Sequence, residues 1–432
     1  MSVNWLASRS AGLQGHVRVP GDKSISHRAI MLAALAEGTS VIDGFLEGED
    51  TRATARIFAQ LGVVIEAPSS HTRIVYGVGL HGLKASTEPL DCGNAGTGMR
   101  LLTGLLCAQS FNSILIGDAS LSKRPMARVI KLLEKMGAKI SAREDNFAPL
   151  HIHGGQVLYG ATIDTQVASA QVKSALIFAA LYANSDSLIT ETRATRDYTE
   201  SMLQSLGWPI EFSAGKALVH AGGKLKASNI HIPGDISSAA FLIAAALLIP
   251  NSDITLQNIG VNPRRTGILS AFKLMGGHIE LLNECLQSGE PVADIRVQSS
   301  TLHGINLPEH LVADMIDECP IFFVAAALAN GTSRATGLAE LRVKESDRIA
   351  SMVKGLRDMG AHVTDWPDSI EIIGGALHSA TIESFEDHRI AMSFAVAAQC
   401  IDGVTEIRDC ANVATSFPGF VELAQALGIN LK

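Results

Sequence analysis

Apolar residues recur three and four positions apart along the chain, a spacing typical of amphipathic helices. In one series of such segments, for example 126–137, the helical pattern ends on a Leu-Gly or Met-Gly pair, and a short strand-like run follows. Because helices commonly end on a glycine with positive φ, each pair predicts a helix C-terminus followed by a β-strand. The pairs recur at intervals of 68–84 residues: Leu61-Gly62, Met136-Gly137, Leu206-Gly207, Met275-Gly276, Met359-Gly360 and Leu427-Gly428.

A second series consists of alanine-rich segments inside the same intervals, each opened by a polar or charged cluster. Two interleaved series with one period predict six αβ units of about 70 residues, and therefore an internally duplicated architecture of the α/β (α+β) class. The predicted helices of this series are 26–36, 97–107, 170–183, 237–248, 320–329 and 388–399.

Two near-identical segments indicate where domains divide. Val19-Pro-Gly-Asp22 and Ile232-Pro-Gly-Asp235 both contain Pro-Gly, which marks turns. If the chain crosses between domains at both places, residues 21–234 form one domain of three units, and residues 1–20 with 235–432 form the second. Whether the two segments are hinges or ordinary tight turns stays open.

Composition narrows the function classes. With 47% hydrophobic and 18% charged residues, the 432-residue chain is not a disordered protein. A net charge of −8 and 5% aromatic residues do not fit a nucleic-acid binder. The longest uncharged apolar run, 239–250, is shorter than the ~20 residues that a membrane-spanning helix needs. No signal or transit peptide is recognised, so a cytoplasmic location without membrane or nucleic-acid partners is expected.

The six cysteines show neither a CxxC pair nor a cluster with histidine. The sequence therefore indicates neither a zinc site nor a disulfide framework. Reduced thiols in a cytosolic enzyme are the favoured interpretation.

Basic residues are concentrated where helices are predicted to begin. Helix N-termini attract anions, and arginine binds phosphate and carboxylate groups through two parallel hydrogen bonds. The pattern predicts a site for small, multiply charged anions, with solvated surface charges as the alternative for any single cluster. The loop 93–98 is not a dinucleotide-binding GxGxxG motif, and the chain has no P-loop. The basic residues are Lys23, Arg28, Arg100, Lys123, Arg124, Arg193, Arg196, Arg342, Lys344, Arg348 and Arg389.

Acidic residues among these clusters are candidates for proton transfer. Asp317 and Glu345 could act as general base or acid beside an anionic substrate. Asp347 is predicted to pair with Arg348 or Lys344. His388 could be catalytic or a structural hydrogen-bonding residue.

The chain contains the motifs Gly21-Asp-Lys-Ser-Ile-Ser-His-Arg28, Gly93-Asn-Ala-Gly-Thr-Gly-Met-Arg100, Lys123-Arg-Pro125, Arg342-Val-Lys-Glu-Ser-Asp-Arg348 and Asp387-His-Arg389. Together these motifs resemble the EPSP synthase (3-phosphoshikimate 1-carboxyvinyltransferase) family, over about residues 13–428. The resemblance implies two domains, each with three βαβαββ units in an inside-out, barrel-like α/β fold. It also implies that the active site lies in the interdomain cleft.

The resemblance also implies a reaction. Shikimate 3-phosphate and phosphoenolpyruvate would give 5-enolpyruvylshikimate 3-phosphate and phosphate, a step toward chorismate and the aromatic amino acids. The 5-hydroxyl attacks C2 of phosphoenolpyruvate while C3 is protonated, and the tetrahedral intermediate expels phosphate. No metal or organic cofactor is implied, and a monomer is expected.

The family's site residues carry over by position. Asp317 matches the residue proposed to take the 5-hydroxyl proton, Glu345 matches the proposed acid/base at the enolpyruvyl methylene, and Lys23 joins them as a catalytic candidate. The resemblance assigns shikimate 3-phosphate to Lys23, Ser24, Arg28, Ser169, Gln171, Arg196, Asp317 and Lys344. It assigns phosphoenolpyruvate to Lys23, Gly96, Arg124, Gln171, Arg348 and Arg389.

Three positions place the chain near the family's class II branch. Ala414 stands where many members have lysine, and Glu340-Leu341 stands where some have Asn-Trp. That branch often has alanine in place of Gly96, which narrows the phosphoenolpyruvate site and excludes glyphosate. With glycine at this position, we expect glyphosate to inhibit in competition with phosphoenolpyruvate.

Two alternatives remain. UDP-N-acetylglucosamine enolpyruvyl transferase shares the fold and the donor, but its catalytic cysteine would fall at Ala119, five residues before Arg124. A non-catalytic anion-binding protein on the same repeats would not need both Asp317 and Glu345.

Overall fold

The structure is a computed structural model that describes residues 3–432. The chain forms two compact units. One, here the inserted unit, comprises residues 21–232 with the short segment 286–290. The other, here the split unit, comprises residues 3–20 with residues 233–285 and 291–432.

The strands vary from two to ten residues. They are β1 Trp5–Ser8, β2 Gln14–Val17, β3 Glu37–Asp43, β4 Val64–Glu66, β5 Thr72–Val78, β6 Leu90–Asp91, β7 Ser113–Ile116, β8 Lys139–Arg143, β9 Phe147–His153, β10 Thr162–Asp164, β11 Ser187–Thr190, β12 Ile210–Ser213, β13 Lys216–Val219, β14 Ile230–His231, β15 Asp253–Gly260, β16 His278–Gln287, β17 Glu290–Gln298, β18 Thr332–Thr336, β19 His362–Trp366, β20 Ser369–Ile373, β21 Thr381–Glu383, β22 Val404–Arg408 and β23 Asn430–Leu431.

The α-helices alternate with these strands. They are α1 Lys23–Leu35, α2 Glu49–Gln60, α3 Gly96–Leu106, α4 Ala127–Glu134, α5 Ala170–Ala180, α6 Tyr198–Ser205, α7 Ile236–Leu248, α8 Gly267–Leu274, α9 Glu309–Val312, α10 Cys319–Leu328, α11 Arg348–Asp358, α12 His388–Ala398 and α13 Phe420–Leu427. Short 3₁₀ turns at 121–123, 144–146, 316–318, 339–343 and 410–415 complete the regular structure.

The six predicted repeats are present, each with one sheet. In the repeat β6-α3-β7-α4-β8-β9, the first two strands pair in parallel across a helix, and β9 lies antiparallel between β7 and β8. The repeat β10-α5-β11-α6-β12-β13 has the same order. The fold is therefore mixed α/β. Within the described residues the six sheets are separate and none closes on itself, so the expected barrel-like arrangement contains no closed barrel.

Some repeats take strands from distant parts of the chain. The sheet that contains β3 receives its parallel strand from β14, near residue 230, and the sheet that contains β22 receives β1 from near the N-terminus. The sheet of β18, β20 and β19 has three strands, with two isolated bridges at His303 and Asn306 beside it. These strand pairings join segments far apart in the chain, so the local sequence pattern does not reveal them.

All six glycines predicted to end helices have positive φ, between 85° and 107°. The helices α2, α4, α6, α8, α11 and α13 end at or within two residues of these pairs, and a strand follows each. The predicted helix–turn–strand series is therefore confirmed.

The alanine-rich helices form the buried centre of each unit. Helices α1, α3 and α5 contribute to one core, and α7, α10 and α12 to the other. Small residues allow close packing: a Cβ added at Gly104 of α3 would lie 2.0 Å from the carbonyl oxygen of Ala175 in α5. The start predicted for α1 at residue 26 is three residues late, because the Asp22 side chain caps the helix by accepting from the Ile25 amide at 2.8 Å.

None of the six cysteines, all of which lie within residues 3–432, forms a disulfide bond. Within residues 3–432, the structure contains no helix that is both long and apolar enough to cross a membrane.

Candidate active site

In the inserted unit, helix N-termini carry the predicted binding residues. Lys23 and Ser24 open α1, Gly96 opens α3, and Ser169 precedes α5 as its N-cap. The Ser169 hydroxyl accepts a hydrogen bond from the Val172 amide at 3.5 Å. The anion-attracting ends of three core helices therefore carry these groups, as the sequence predicts.

Lys23 forms a short ion pair with Asp50 in the first turn of α2. The lysine side chain is 21% exposed and the aspartate 6%. Asp50 belongs to the acidic first turn of α2, Glu49-Asp50, which the sequence analysis did not single out. The sequence therefore did not predict that Asp50 pairs with Lys23, one of the expected binding residues.

Arg28 is nearly buried and bonds to neutral oxygens. Its guanidinium donates to Thr199 Oγ1 at 2.7 Å, to the Ser24 carbonyl at 2.9 Å and to Ser174 Oγ at 2.7 Å. Burial, followed by the charge of Arg196, lowers the pKa of Arg28 to about 10. The group therefore stays charged at neutral pH.

Arg196 approaches the same helix end. Its Nη1 donates to Ser24 Oγ at 3.4 Å. Two guanidinium groups thus converge on Ser24, and an anion placed there would offset their mutual repulsion.

Gln171 links α5 to α3. Its Oε1 accepts from Arg100 Nη1 at 2.6 Å, and its Nε2 donates to Thr97 Oγ1 at 2.8 Å. Arg100 is absent from the set of binding residues that the resemblance gives, although its place in a basic helix start was noted. The structure brings it onto a predicted site residue.

Gly96 lies against two guanidinium groups. A Cβ added at this position would lie 3.0 Å from Arg124 Nη1 and 3.2 Å from Arg100 Nη1. Arg124 itself donates from Nη2 to Asn94 Oδ1 at 2.6 Å. The structure therefore brings Gly96 and Arg124 together, and Arg100 connects Gly96 to Gln171. It also adds Asn94 as the residue that orients Arg124.

In the split unit, Arg348 joins both candidate proton-transfer residues. It lies at the start of α11 with 1% of its side chain exposed. Its Nη1 is 3.4 Å from Asp317 Oδ1, its Nη2 donates to Glu345 Oε2 at 2.6 Å, and its Nε donates to Asp387 Oδ2 at 2.8 Å. One buried guanidinium thus holds three carboxylates.

The opposite charges in this cluster stabilise each other's ionised forms. Burial opposes the charge of Arg348, but Asp387, Glu345 and Asp317 outweigh it and raise its pKa. Burial of Asp387 opposes its ionisation as well, yet Arg348, followed by His388, lowers the pKa of this carboxyl. Asp387 also caps α12 by accepting from the Arg389 amide at 2.9 Å.

Asp317 lies in the 3₁₀ turn before α10 and faces several cations. Lys344 Nζ lies 3.4 Å from Asp317 Oδ1, and Arg265 Nη1 lies 3.9 Å from Oδ2. Arg389 Nη1 donates to the Asp317 carbonyl at 2.8 Å. The structure therefore brings Asp317, Lys344 and Arg389 together and adds Arg265, which sequence reasoning missed because it belongs to none of the recognised motifs.

The expected partners of Asp347 were wrong. Its Oδ2 is 3.0 Å from Arg342 Nη1, and its Oδ1 caps α11 by accepting from the Ala350 amide at 3.0 Å. The capping geometry turns the carboxylate toward the 3₁₀ turn that contains Arg342, so neither Arg348 nor Lys344 is its partner.

His27 gives the inserted unit a pH dependence. Its Nδ1 lies 2.7 Å from Thr54 Oγ1, and burial, then Lys23, then Arg28 lower its pKa well below 6.5. Between pH 6.5 and the lower pKa of the folded state, His27 binds a proton in the unfolded chain but not in the folded chain. Stability should therefore fall by about 1.4 kcal/mol per pH unit on acidification. We expect His27→Asn to remove the contribution of this residue to the slope below pH 6.5. Parallel urea titrations of both proteins check this, and equal slopes would contradict it.

Six αβ repeats, each with one sheet, and cations and carboxylates at the N-termini of buried helices define an α/β protein suited to binding small, multiply charged anions. A sequence model of EPSP synthase (3-phosphoshikimate 1-carboxyvinyltransferase) matches residues 8–423. The chain therefore belongs to the EPSP synthase family.

Individual relatives agree with this assignment. The chain is 57% identical to 3-phosphoshikimate 1-carboxyvinyltransferase of Xanthomonas euvesicatoria, over 99% of this chain and 98% of the relative. It is 58% identical to the enzyme of the same name from Xanthomonas campestris, with the same coverage. A solved structure of EPSP synthase from Acinetobacter baumannii is 45% identical, with a TM-score of 0.90 over 100% of this chain and 99% of that one.

Proposed function

We propose that this chain transfers the enolpyruvyl group of phosphoenolpyruvate to the 5-hydroxyl of shikimate 3-phosphate, and so forms 5-enolpyruvylshikimate 3-phosphate and phosphate. The observation that carries the proposal is the contact of Arg348 with both Asp317 and Glu345, beside Lys344. Two carboxylates of different surroundings, held by one cation, fit a reaction that removes one proton and adds another. Membership in the EPSP synthase family supports the same activity.

The chemical steps follow from these groups. Asp317 accepts the 5-hydroxyl proton as that oxygen bonds to C2 of phosphoenolpyruvate. Glu345 or Lys23 donates a proton to C3, and the tetrahedral intermediate forms. Loss of a proton from the same methyl carbon and departure of phosphate from C2 then restore the double bond. Fixed cations compensate the charge of the phosphate and carboxylate groups throughout.

The binding residues divide between two substrates. Shikimate 3-phosphate is assigned to Lys23, Ser24, Arg28, Ser169, Gln171, Arg196, Asp317 and Lys344, and phosphoenolpyruvate to Lys23, Gly96, Arg124, Gln171, Arg348 and Arg389. We also propose that residues 21–234 form one domain of three repeats and that residues 1–20 with 235–432 form the second, a division close to that of the two compact units.

A coupled phosphate-release assay tests the activity. With both substrates, purified protein should release one phosphate for each phosphoenolpyruvate consumed. Release with UDP-N-acetylglucosamine but not with shikimate 3-phosphate would instead favour the related transferase. Binding of shikimate 3-phosphate without any release would favour the non-catalytic alternative.

We also propose that the chain is of class II type with glycine at position 96, and that glyphosate therefore inhibits it. The added Cβ of Gly96→Ala would crowd Arg124, so we expect about a tenfold rise in KM for phosphoenolpyruvate and loss of the competitive inhibition. Inhibition kinetics on the wild type and the variant measure both effects.

Gly375→Ala is the matched control, because a Cβ there has open space around it. It should leave both constants unchanged. Wild-type turnover that persists at high glyphosate concentration would contradict the inhibition.

We also propose a monomer in the cytoplasm. A phosphorylated, charged substrate pair and six cysteines without a disulfide bond fit a reducing compartment. Light scattering should give a mass near 45.6 kDa, and cell fractionation should recover the protein with cytoplasmic markers. A dimer mass or a membrane-bound fraction would contradict these statements.

A further inference from the structure

Lys173 lies between two buried glutamates of the inserted unit. Its Nζ is 3.0 Å from Glu191 Oε2 and 2.8 Å from Glu200 Oε1, and none of the three side chains is more than 3% exposed. Burial opposes the lysine charge, but the two carboxylates outweigh it and raise the pKa of Lys173. Buried ion clusters contribute little net stability, because desolvation offsets the attraction between the charges. The cluster therefore invites an explanation other than stability.

Two members of the cluster hold Thr195. Glu191 accepts hydrogen bonds from the Thr195 amide at 3.2 Å and from its hydroxyl. Lys173 Nζ donates to the Thr195 carbonyl at 3.4 Å. Buried charged groups thus fix the amide, carbonyl and side chain of one residue, whereas Glu200 has no hydrogen bond with it among those the structure gives.

Thr195 directly precedes Arg196. The peptide unit between them is planar, so a fixed Thr195 carbonyl also fixes the position of the Arg196 amide and the direction of the backbone there. Arg196 then reaches Ser24 at the start of α1, where its charge lowers the pKa of the neighbouring Arg28. Two like charges held this close repel each other when no anion is bound, so their position depends on the backbone behind them.

We propose that Glu191, supported by Lys173, is a positioning residue for shikimate 3-phosphate: it holds Thr195 so that Arg196 points toward the substrate at Ser24 and Arg28. The inference rests on the proposed function, which assigns these three residues to that substrate. It adds a residue that lies outside the substrate contacts and acts through the backbone.

Glu191→Gln and Glu200→Gln form a matched pair. Each removes one carboxylate charge from the same lysine, keeps the side-chain shape and leaves one Lys–Glu pair, so both variants should fold. Charge alone predicts that either loss leaves shikimate 3-phosphate binding unchanged or tighter, because a negative charge near an anion site disappears. Only the loss at Glu191 disturbs Thr195.

Steady-state kinetics with each substrate varied in turn separate the two effects. We expect Glu191→Gln to raise KM for shikimate 3-phosphate about tenfold, the size of one charge-assisted hydrogen bond. The KM for phosphoenolpyruvate and kcat should change less than about twofold, and Glu200→Gln should match the wild type in all three constants.

Equal constants for Glu191→Gln and the wild type would overturn the inference, as would equal losses in the two variants. If Glu191→Gln fails to fold by circular dichroism, Thr195→Val tests the same contact by removing only the hydroxyl. It should raise the same KM, and no change would overturn the inference. A wild type without turnover would contradict the proposed function instead. Calorimetric binding of shikimate 3-phosphate to the same proteins would then decide the role of Glu191.

Discussion

Asp317→Asn should reduce kcat by about a thousandfold, which is within the range that one general base contributes. Asparagine keeps the shape of the side chain in the turn before α10 but cannot accept the 5-hydroxyl proton. Lys344 contacts Oδ1 of Asp317, an oxygen that asparagine keeps, and Arg389 donates to the backbone carbonyl of the same residue. We therefore expect shikimate 3-phosphate to bind within about threefold of the wild type. Single-turnover kinetics and titration calorimetry measure the two quantities.

Asp358→Asn is the control for a carboxylate of the same kind. Asp358 pairs with Lys354 on the surface, with 36% of its side chain exposed, and exposed pairs of this type contribute less than about 1 kcal/mol. Its kcat should equal that of the wild type. Wild-type turnover in Asp317→Asn would remove this residue from the catalytic role.

Arg348→Met should destabilise the split unit by about 3–5 kcal/mol, because it leaves Asp387 buried without its cation. The arginine side chain is 1% exposed and that of Asp387 is 0% exposed, so water cannot take the place of the guanidinium. The same variant loses the cation assigned to phosphoenolpyruvate and releases Asp317 and Glu345 from their shared partner. Urea denaturation followed by circular dichroism measures the stability loss, and steady-state kinetics measure the loss of activity.

A double variant separates stability from function. Asn in place of Asp387 keeps the capping oxygen of α12 and removes the stranded charge. Arg348→Met/Asp387→Asn should therefore recover most of the lost stability and none of the lost activity. Lys354→Met, which breaks the exposed pair with Asp358, should cost less than about 1 kcal/mol. A stability loss as small as this in Arg348→Met would show that the carboxylates do not depend on Arg348.

The sequence predicted the repeats well because their helix ends and buried helix faces are encoded by residues close together in the chain. The positive φ of Gly62 and of its five counterparts, and the burial of the alanine-rich helices, depend on residues a few positions apart. The pairing of β14 with β3, and of β1 with β22, joins segments that are far apart in sequence. No short-range spacing reveals such a pairing.

The same distinction applies to the candidate site. Motifs identified Arg348, Asp317 and Glu345, but Asp387 was seen only as part of a helix start, and its contact with Arg348 became evident in three dimensions. Arg265 likewise approaches Asp317 from an unrelated segment. Partners such as these are selected by tertiary packing, so their sequence neighbours carry little information about them.

The most direct test follows the enolpyruvyl and phosphate groups of the donor. Purified protein is mixed with shikimate 3-phosphate and phosphoenolpyruvate, and proton and phosphorus NMR spectra are recorded over time. We expect new vinyl signals of an enolpyruvyl ether on the 5-oxygen, which grow in equal amount with inorganic phosphate. Phosphate release without the ether, or unchanged spectra from protein that binds both substrates, would contradict it.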